Sequence, residues 1–182
     1  MGFTYDYYLT ESDFEDIPKS TRSNILMHTI MLSDEQSAKY GQLLQKLPEG
    51  KTHGFSYEQY LTDVADRKAS SAREFKTYRN GFTAKINLPK KNLVFFSIPY
   101  DKGFIATVNG KKVPVEKVSA GMMAVECDKG DNDIRFVYTP MGVKLGNILS
   151  IIGVCGLVIY ILISQNYKRI LKQKAKKQNA ES

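Results

Sequence analysis

Ser97-Ile98-Pro99-Tyr100-Asp101-Lys102-Gly103-Phe104 sets an aromatic ring, a carboxylate and an ammonium side by side between two apolar stretches. A ring face stacks on a sugar, a carboxylate accepts from hydroxyls and an ammonium pairs with phosphate, so Tyr100, Asp101 and Lys102 form the candidate ligand-binding set. The competing reading is a tight strand connection with a packed tyrosine. Asp128-Lys129-Gly130-Asp131-Asn132-Asp133 gathers three carboxylates in the manner of a calcium loop. The twelfth position of such a loop needs a bidentate Glu, and here it is Thr139, so a solvated hairpin turn is expected instead. His28 and His53 are isolated from other ligand types, and each reads as a surface or helix-packing residue; no metal site and no cofactor are expected. No GxSxG, HExxH, CxxC or phosphate-cradling glycine loop occurs, and no catalytic residue is assigned.

The elements that must position these residues are bounded by composition. A chain of 182 residues with 42% hydrophobic content holds one well-packed domain plus a membrane segment. The net charge of +7 is concentrated in a tail: from Lys168 onward the balance is +5, leaving +2 for the rest. A nucleic-acid binder needs its basic excess on a folded face, or aromatic and basic residues interleaved in a module, and neither is present. The two cysteines, Cys127 in an expected strand and Cys155 in the apolar run, belong to different phases and are not expected to pair.

Leu145 to Ile163 reads LGNILSIIGVCGLVIYILI, without a charge. At about 1.5 Å per residue it spans about 28 Å, close to the hydrocarbon core of a bilayer. Lys168, Arg169, Lys172, Lys174, Lys176 and Lys177 follow, which by the positive-inside preference puts the tail in the cytoplasm and residues 1–144 outside. The N-terminal MGFTYDYYLTESDFEDIP has neither a basic n-region nor an apolar h-region, so an outward domain is expected to follow membrane helices of a larger polytopic parent. Gly146, Ser150 and Gly153, at i, i+4 and i+7, form a small-residue stripe that suits helix packing against those upstream helices.

Three helix starts are expected from Ser12-x-x-Glu15, Ser33-x-x-Gln36 and Ser56-x-x-Gln59. The apolar stretch Ile25 to Leu32, after Pro18, is expected to supplement the middle of this helical region. The last helix is expected from Ser56 to about Tyr78, with Tyr57, Val64 and Phe75 aligned and a C-cap at Asn80-Gly81. From Gly81 the apolar period becomes two: Phe82, Ala84, Ile86 and Leu88 alternate with polar residues, and Leu93 to Ile98 is an apolar run of buried-strand length. Asn109-Gly110 marks a type I′ hairpin, and Pro114 puts its second strand at a sheet edge. Met122 to Cys127 and Ile134 to Tyr138 complete about six strands. The fold class is α+β: short N-terminal helices over 1–80, an antiparallel β-sandwich-like domain over 81–140, a transmembrane helix over 145–163 and a basic tail over 164–182.

VFFSIPYDKGFIATVNGKKVPVEKV, followed by YTPMGVKLG and an apolar helix, resembles the C-terminal end of the bacterial YfhO family of membrane proteins. GFTYDYYLTESDFEDIP and NGFTAKINLPKKNLVFF are similar to preceding segments of that family, so the resemblance covers nearly the whole chain. It implies a polytopic parent similar to glycosyltransferases that use polyprenyl-phosphate sugars, acting on a cell-wall polymer such as lipoteichoic acid. The family's transferase portion has no counterpart here, so this chain alone is expected to be non-catalytic. The implied partners are the lipid bilayer, the parent's upstream helices and a cell-wall polymer or lipid-linked sugar, with no nucleic acid. Two alternatives stay open: a non-enzymatic single-pass surface domain that binds a wall component or protein, and a soluble or tail-anchored cytoplasmic binding domain.

Overall fold

The computed structural model describes residues 2–48 and 56–178; His53 lies outside them. It divides into two units, residues 1–139 and 140–182.

Unit one is built on nine strands in two antiparallel sheets. The first sheet has the order β1 (Gly2–Thr4), β7 (Asn92–Pro99), β11 (Met122–Cys127), β10 (Glu116–Val118). The second has the order β5 (Glu74–Tyr78), β6 (Gly81–Leu88), β12 (Gly130–Tyr138), β8 (Phe104–Val108), β9 (Lys111–Val113). β1 and β5 both come from outside the 81–140 interval.

The expected alternation in β6 is present: Phe82, Ala84, Ile86 and Leu88 are buried and face the sandwich core. There Phe82 stacks on Phe136 with centroids 4.5 Å apart, and Phe96 meets Phe136 edge-on at 5.0 Å. β7 has no alternation because both of its faces are covered. Val94 and Phe96 enter the sandwich core, while Leu93 and Phe95 enter a second cluster with Tyr5, Ile30, Leu32, Tyr40 and Leu44. A strand buried on both faces reads as a continuous apolar run.

That second cluster is the contribution of the N-terminal segment, which contains strands as well as helices. β2 (Tyr7–Thr10) is flanked in parallel by β3 (Thr29–Leu32) and β4 (Gln45–Lys46). Around them lie α1 (Glu11–Glu15), α2 (Lys19–Leu26) and α3 (Asp34–Tyr40). The expected capping box at Ser33 and Gln36 starts α3. The first helix instead begins after Thr10, which accepts from Asp13 N, two residues ahead of the Ser12 expectation. Ile25 to Leu32 is divided, α2 ending at Leu26 and Thr29–Leu32 forming a wholly buried strand beside β2.

The long helix expected to run from Ser56 to Tyr78 also divides. α4 (Tyr57–Ala69) starts where Ser56 accepts from Gln59 N. It stops at Ser70, and Glu74–Tyr78 becomes β5, with Phe75 packed 5.2 Å from Phe82. Burial of Phe75 against β6 overrides helical spacing that is only local. Gly81 accordingly caps no helix: it opens β6, where any side chain would collide with the Phe136 carbonyl oxygen.

The Asn109-Gly110 turn has φ of 51° and 79°, as a type I′ hairpin requires, and β9 ends before Pro114 on the sheet edge. The acidic run departs from expectation. β11 and β12 belong to different sheets, so Asp128-Lys129 crosses the sandwich instead of closing a hairpin. Buried Asn132 holds that crossing, donating to the carbonyls of Asp128 (2.8 Å) and Gly130 (2.9 Å).

Unit two is α5 (Met141–Gln178). Within its stretch Met141–Arg169 an 18-residue window reaches a mean hydropathy of 2.4, and the stretch is long enough to cross a bilayer.

Candidate functional site

The loop after β7 is held by its own polar groups. Tyr100 N donates to Gly121 O at 2.7 Å, and the half-buried Tyr100 ring packs against the sandwich core. Asp101 Oδ1 accepts from Gly103 N at 2.7 Å, and its carbonyl accepts from Phe104 N at 3.1 Å. This is the side-chain turn that Asp favours. Gly103 is buried, and a Cβ there would meet Thr139 O at 2.5 Å, so the close approach of the turn to Thr139 requires glycine. Lys102 is exposed and has no carboxylate partner among the described residues. The structure thus keeps Tyr100, Asp101 and Lys102 adjacent, with the first two engaged in packing and turn formation. Gly146, Ser150 and Gly153 lie on α5, which is helical throughout that stretch.

A denser set of polar groups is brought together by α4, and spacing in the sequence did not point to it. The outward face of α4 carries its apolar residues: Tyr57, Leu61 and Val64 are exposed, while Asp63 is 7% exposed. Asp63 Oδ1 lies 2.7 Å from His28 Nδ1 and accepts from Gln59 Nε2 at 3.0 Å. Tyr7 stacks on the imidazole with centroids 5.2 Å apart. His28 is therefore not isolated: it is a helix-packing residue whose partner is a buried carboxylate. An Asp that orients one imidazole nitrogen leaves the other to donate or accept, the arrangement used for proton transfer. The cleft beside it, lined among others by Thr4, Asp6, Tyr7, His28, Asp63 and Arg67, has a volume of only 70 Å³, room for a water or a small polar group.

One helical turn beyond Asp63, Arg67 borders this cleft and a larger cavity as well. Its guanidinium lies 4.8 Å from the Tyr5 ring centroid and 5.4 Å from that of Phe3. Burial raises the Tyr5 phenol pKa, and the Arg67 charge opposes part of that rise. The only sequence signal for this corner is indirect: Asp63 and Arg67 are i, i+4 neighbours on the face of α4 opposite its apolar stripe.

A third polar junction ties α3 to β10. Glu116 accepts from Tyr40 Oη (2.5 Å), Lys39 Nζ (3.1 Å) and Gln36 Nε2 (3.0 Å). Burial pushes the Glu116 pKa up, but these three donors outweigh it and the net shift is downward. Tyr40, buried and hydrogen-bonded to that carboxylate, has its own pKa raised to about 12 by desolvation and by the Glu116 charge.

The family model described as bacterial membrane protein YfhO matches residues 45–150. An uncharacterized protein YfhO of Bacillus subtilis (strain 168) is 27% identical over 170 residues, an alignment that covers 88% of this chain and 19% of the relative. The chain thus spans about a fifth of the length of that curated relative. No solved structure matches the chain significantly. A family match over more than half the chain, joined to an α+β unit and one helix able to cross a bilayer, makes this a membrane protein of the bacterial YfhO family.

Proposed function

We propose that the chain is the C-terminal extracytoplasmic domain and last membrane helix of a larger YfhO-like protein. That parent transfers a sugar from a polyprenyl-phosphate carrier to a cell-wall polymer such as lipoteichoic acid. The domain holds the acceptor polymer or braces the membrane core, and the chemistry resides in the parent's other helices and loops. Family membership carries this reading, since the B. subtilis relative is about five times the length matched here. The orientation rests on Lys168 and the basic residues after it, which follow the apolar stretch directly and favour the cytoplasmic side. Gly146, Ser150 and Gly153 face a neighbouring helix of the parent, where small residues let backbones approach. Within the Tyr100–Lys102 loop, ligand contact falls to Lys102, because Tyr100 and Asp101 are engaged in the fold.

Two measurements test this. In intact cells, a cysteine placed at exposed Asn109 reacts with an impermeant maleimide while an epitope after Ser182 stays shielded; the reverse pattern overturns the orientation. Deleting the gene of the parent removes sugar substituents from a wall polymer, read by NMR of extracted lipoteichoic acid and related polymers. Unchanged polymers would leave the non-enzymatic surface domain as the better account.

A further inference from the structure

The larger cavity bordered by Arg67 has a volume of 600 Å³ and is lined by Phe3, Arg67, Lys68, Ser71, Arg73 and Asn87, with Ala69 and Ala72. Three cations and no carboxylate line it. None of the three pairs with a carboxylate among the described residues, although six lysines elsewhere do. Glu74, the acid next in sequence to Arg73, is already shared by Lys76 (3.7 Å) and Lys85 (3.4 Å). Arg67 adds an independent observation: its Nε is buried and lacks a hydrogen-bond partner. A buried, unsatisfied guanidinium nitrogen is costly unless an acceptor arrives. The helix end accounts for part of this, since Arg67 and Lys68 occupy the last turn of α4, where cations complement the dipole. It does not account for Arg73, which lies beyond the helix just ahead of β5.

We propose that this cavity binds a phosphate group, as a monoester or diester, together with part of the molecule that carries it. Two guanidinium forks and an ammonium match phosphate oxygens, Ser71 and Asn87 supply hydroxyl and amide groups, and Phe3 provides an apolar wall. A volume of 600 Å³ fits a sugar phosphate or a glycerophosphate headgroup better than a bare ion. The inference is independent of the proposed transferase and of the side of the membrane the domain occupies.

The test uses the full chain in an uncharged detergent, titrated calorimetrically with inorganic phosphate, glucose 1-phosphate and dihexanoyl phosphatidylglycerol, with dihexanoyl phosphatidylcholine for comparison. Binding in the micromolar to millimolar range is expected, weakening with salt. Arg67→Gln/Lys68→Gln/Arg73→Gln should weaken it at least about tenfold. Removing the same charge elsewhere, by Lys112→Gln/Lys117→Gln/Lys129→Gln, should change it less than about twofold. Circular dichroism checks folding. If the triple variant is unfolded, Arg73→Gln alone, at an exposed position, should still weaken binding severalfold. Preference for glucose 1-phosphate assigns a soluble phosphoester, and preference for phosphatidylglycerol over phosphatidylcholine assigns a lipid headgroup; either supports the site. No binding of any probe, or equal loss in the two triple variants, overturns it.

Discussion

The Tyr100–Gly103 loop and the corner formed by α4 and β1 make opposite use of polar residues. In the loop, the groups that attract attention are contiguous in sequence, and they satisfy one another: Asp101 closes its own turn on Gly103 and Tyr100 packs on the core beneath it. At the corner, His28, Asp63, Arg67 and Arg73 come from three separate segments, and their polar capacity is only partly used. A short polar run needs little more than its own backbone to be satisfied. Groups assembled by tertiary packing face one another because the fold put them there, so what they leave unsatisfied is a better pointer to a ligand.

The largest effect that would sharpen this contrast is at Asp63. Asp63→Ala removes the partner of His28 and Gln59 at a buried position and should cost about 2–3 kcal/mol. Urea denaturation of the full chain measures it. In a double-mutant cycle with His28→Ala, a coupling near zero would show that the pair is incidental.

Glu116 offers a pH-dependent version of the same comparison. Its pKa in the folded protein lies below the ordinary value, so its contribution is complete at neutral pH and is lost as pH falls from the ordinary carboxylate value through the folded one. Glu116→Gln should cost about 1–3 kcal/mol at pH 7. It should also flatten the loss of stability below about pH 5. Unchanged acid sensitivity in the variant would locate the acid response elsewhere.

In the loop the expected effects are smaller. Asp101→Ala should cost about 1 kcal/mol through the lost turn bond, and Lys102→Ala less than about 0.5 kcal/mol. A loss at Asp101 as large as that at Asp63 would break the distinction drawn above. The smallest predicted change is a gain. Tyr100 is braced by the turn Ser119-Ala120-Gly121, in which Ala120 is exposed and holds φ of 60°, a left-handed conformation costly for a residue with a Cβ. Ala120→Gly should stabilise by roughly 0.5 kcal/mol after the added chain entropy is subtracted, read as a small rise in thermal midpoint.

Features legible in the sequence were those decided within a few residues of themselves. The uncharged stretch Leu145–Ile163 specifies a membrane helix because a bilayer responds to length and hydropathy alone. Asn109-Gly110 specifies its hairpin because both positions tolerate positive φ, Ser33 and Gln36 cap α3 across one turn, and β6 shows its buried face by strict alternation. Tertiary structure decided what depends on a distant partner. Thr29–Leu32 is a strand because β2 offers it backbone groups, and Glu74–Tyr78 is a strand because β6 does. β1 joins β7 through Gly2–Thr4 opposite Val94–Phe96, a pairing invisible in so short a segment. The acidic run crosses between sheets instead of turning back, since strand order is not encoded in the connection. The corner around Arg67 was hidden for the same reason. Residues at 3, 28, 63, 67 and 73 acquire a common chemistry only after long-range pairing sets them side by side, and no local spacing records that pairing.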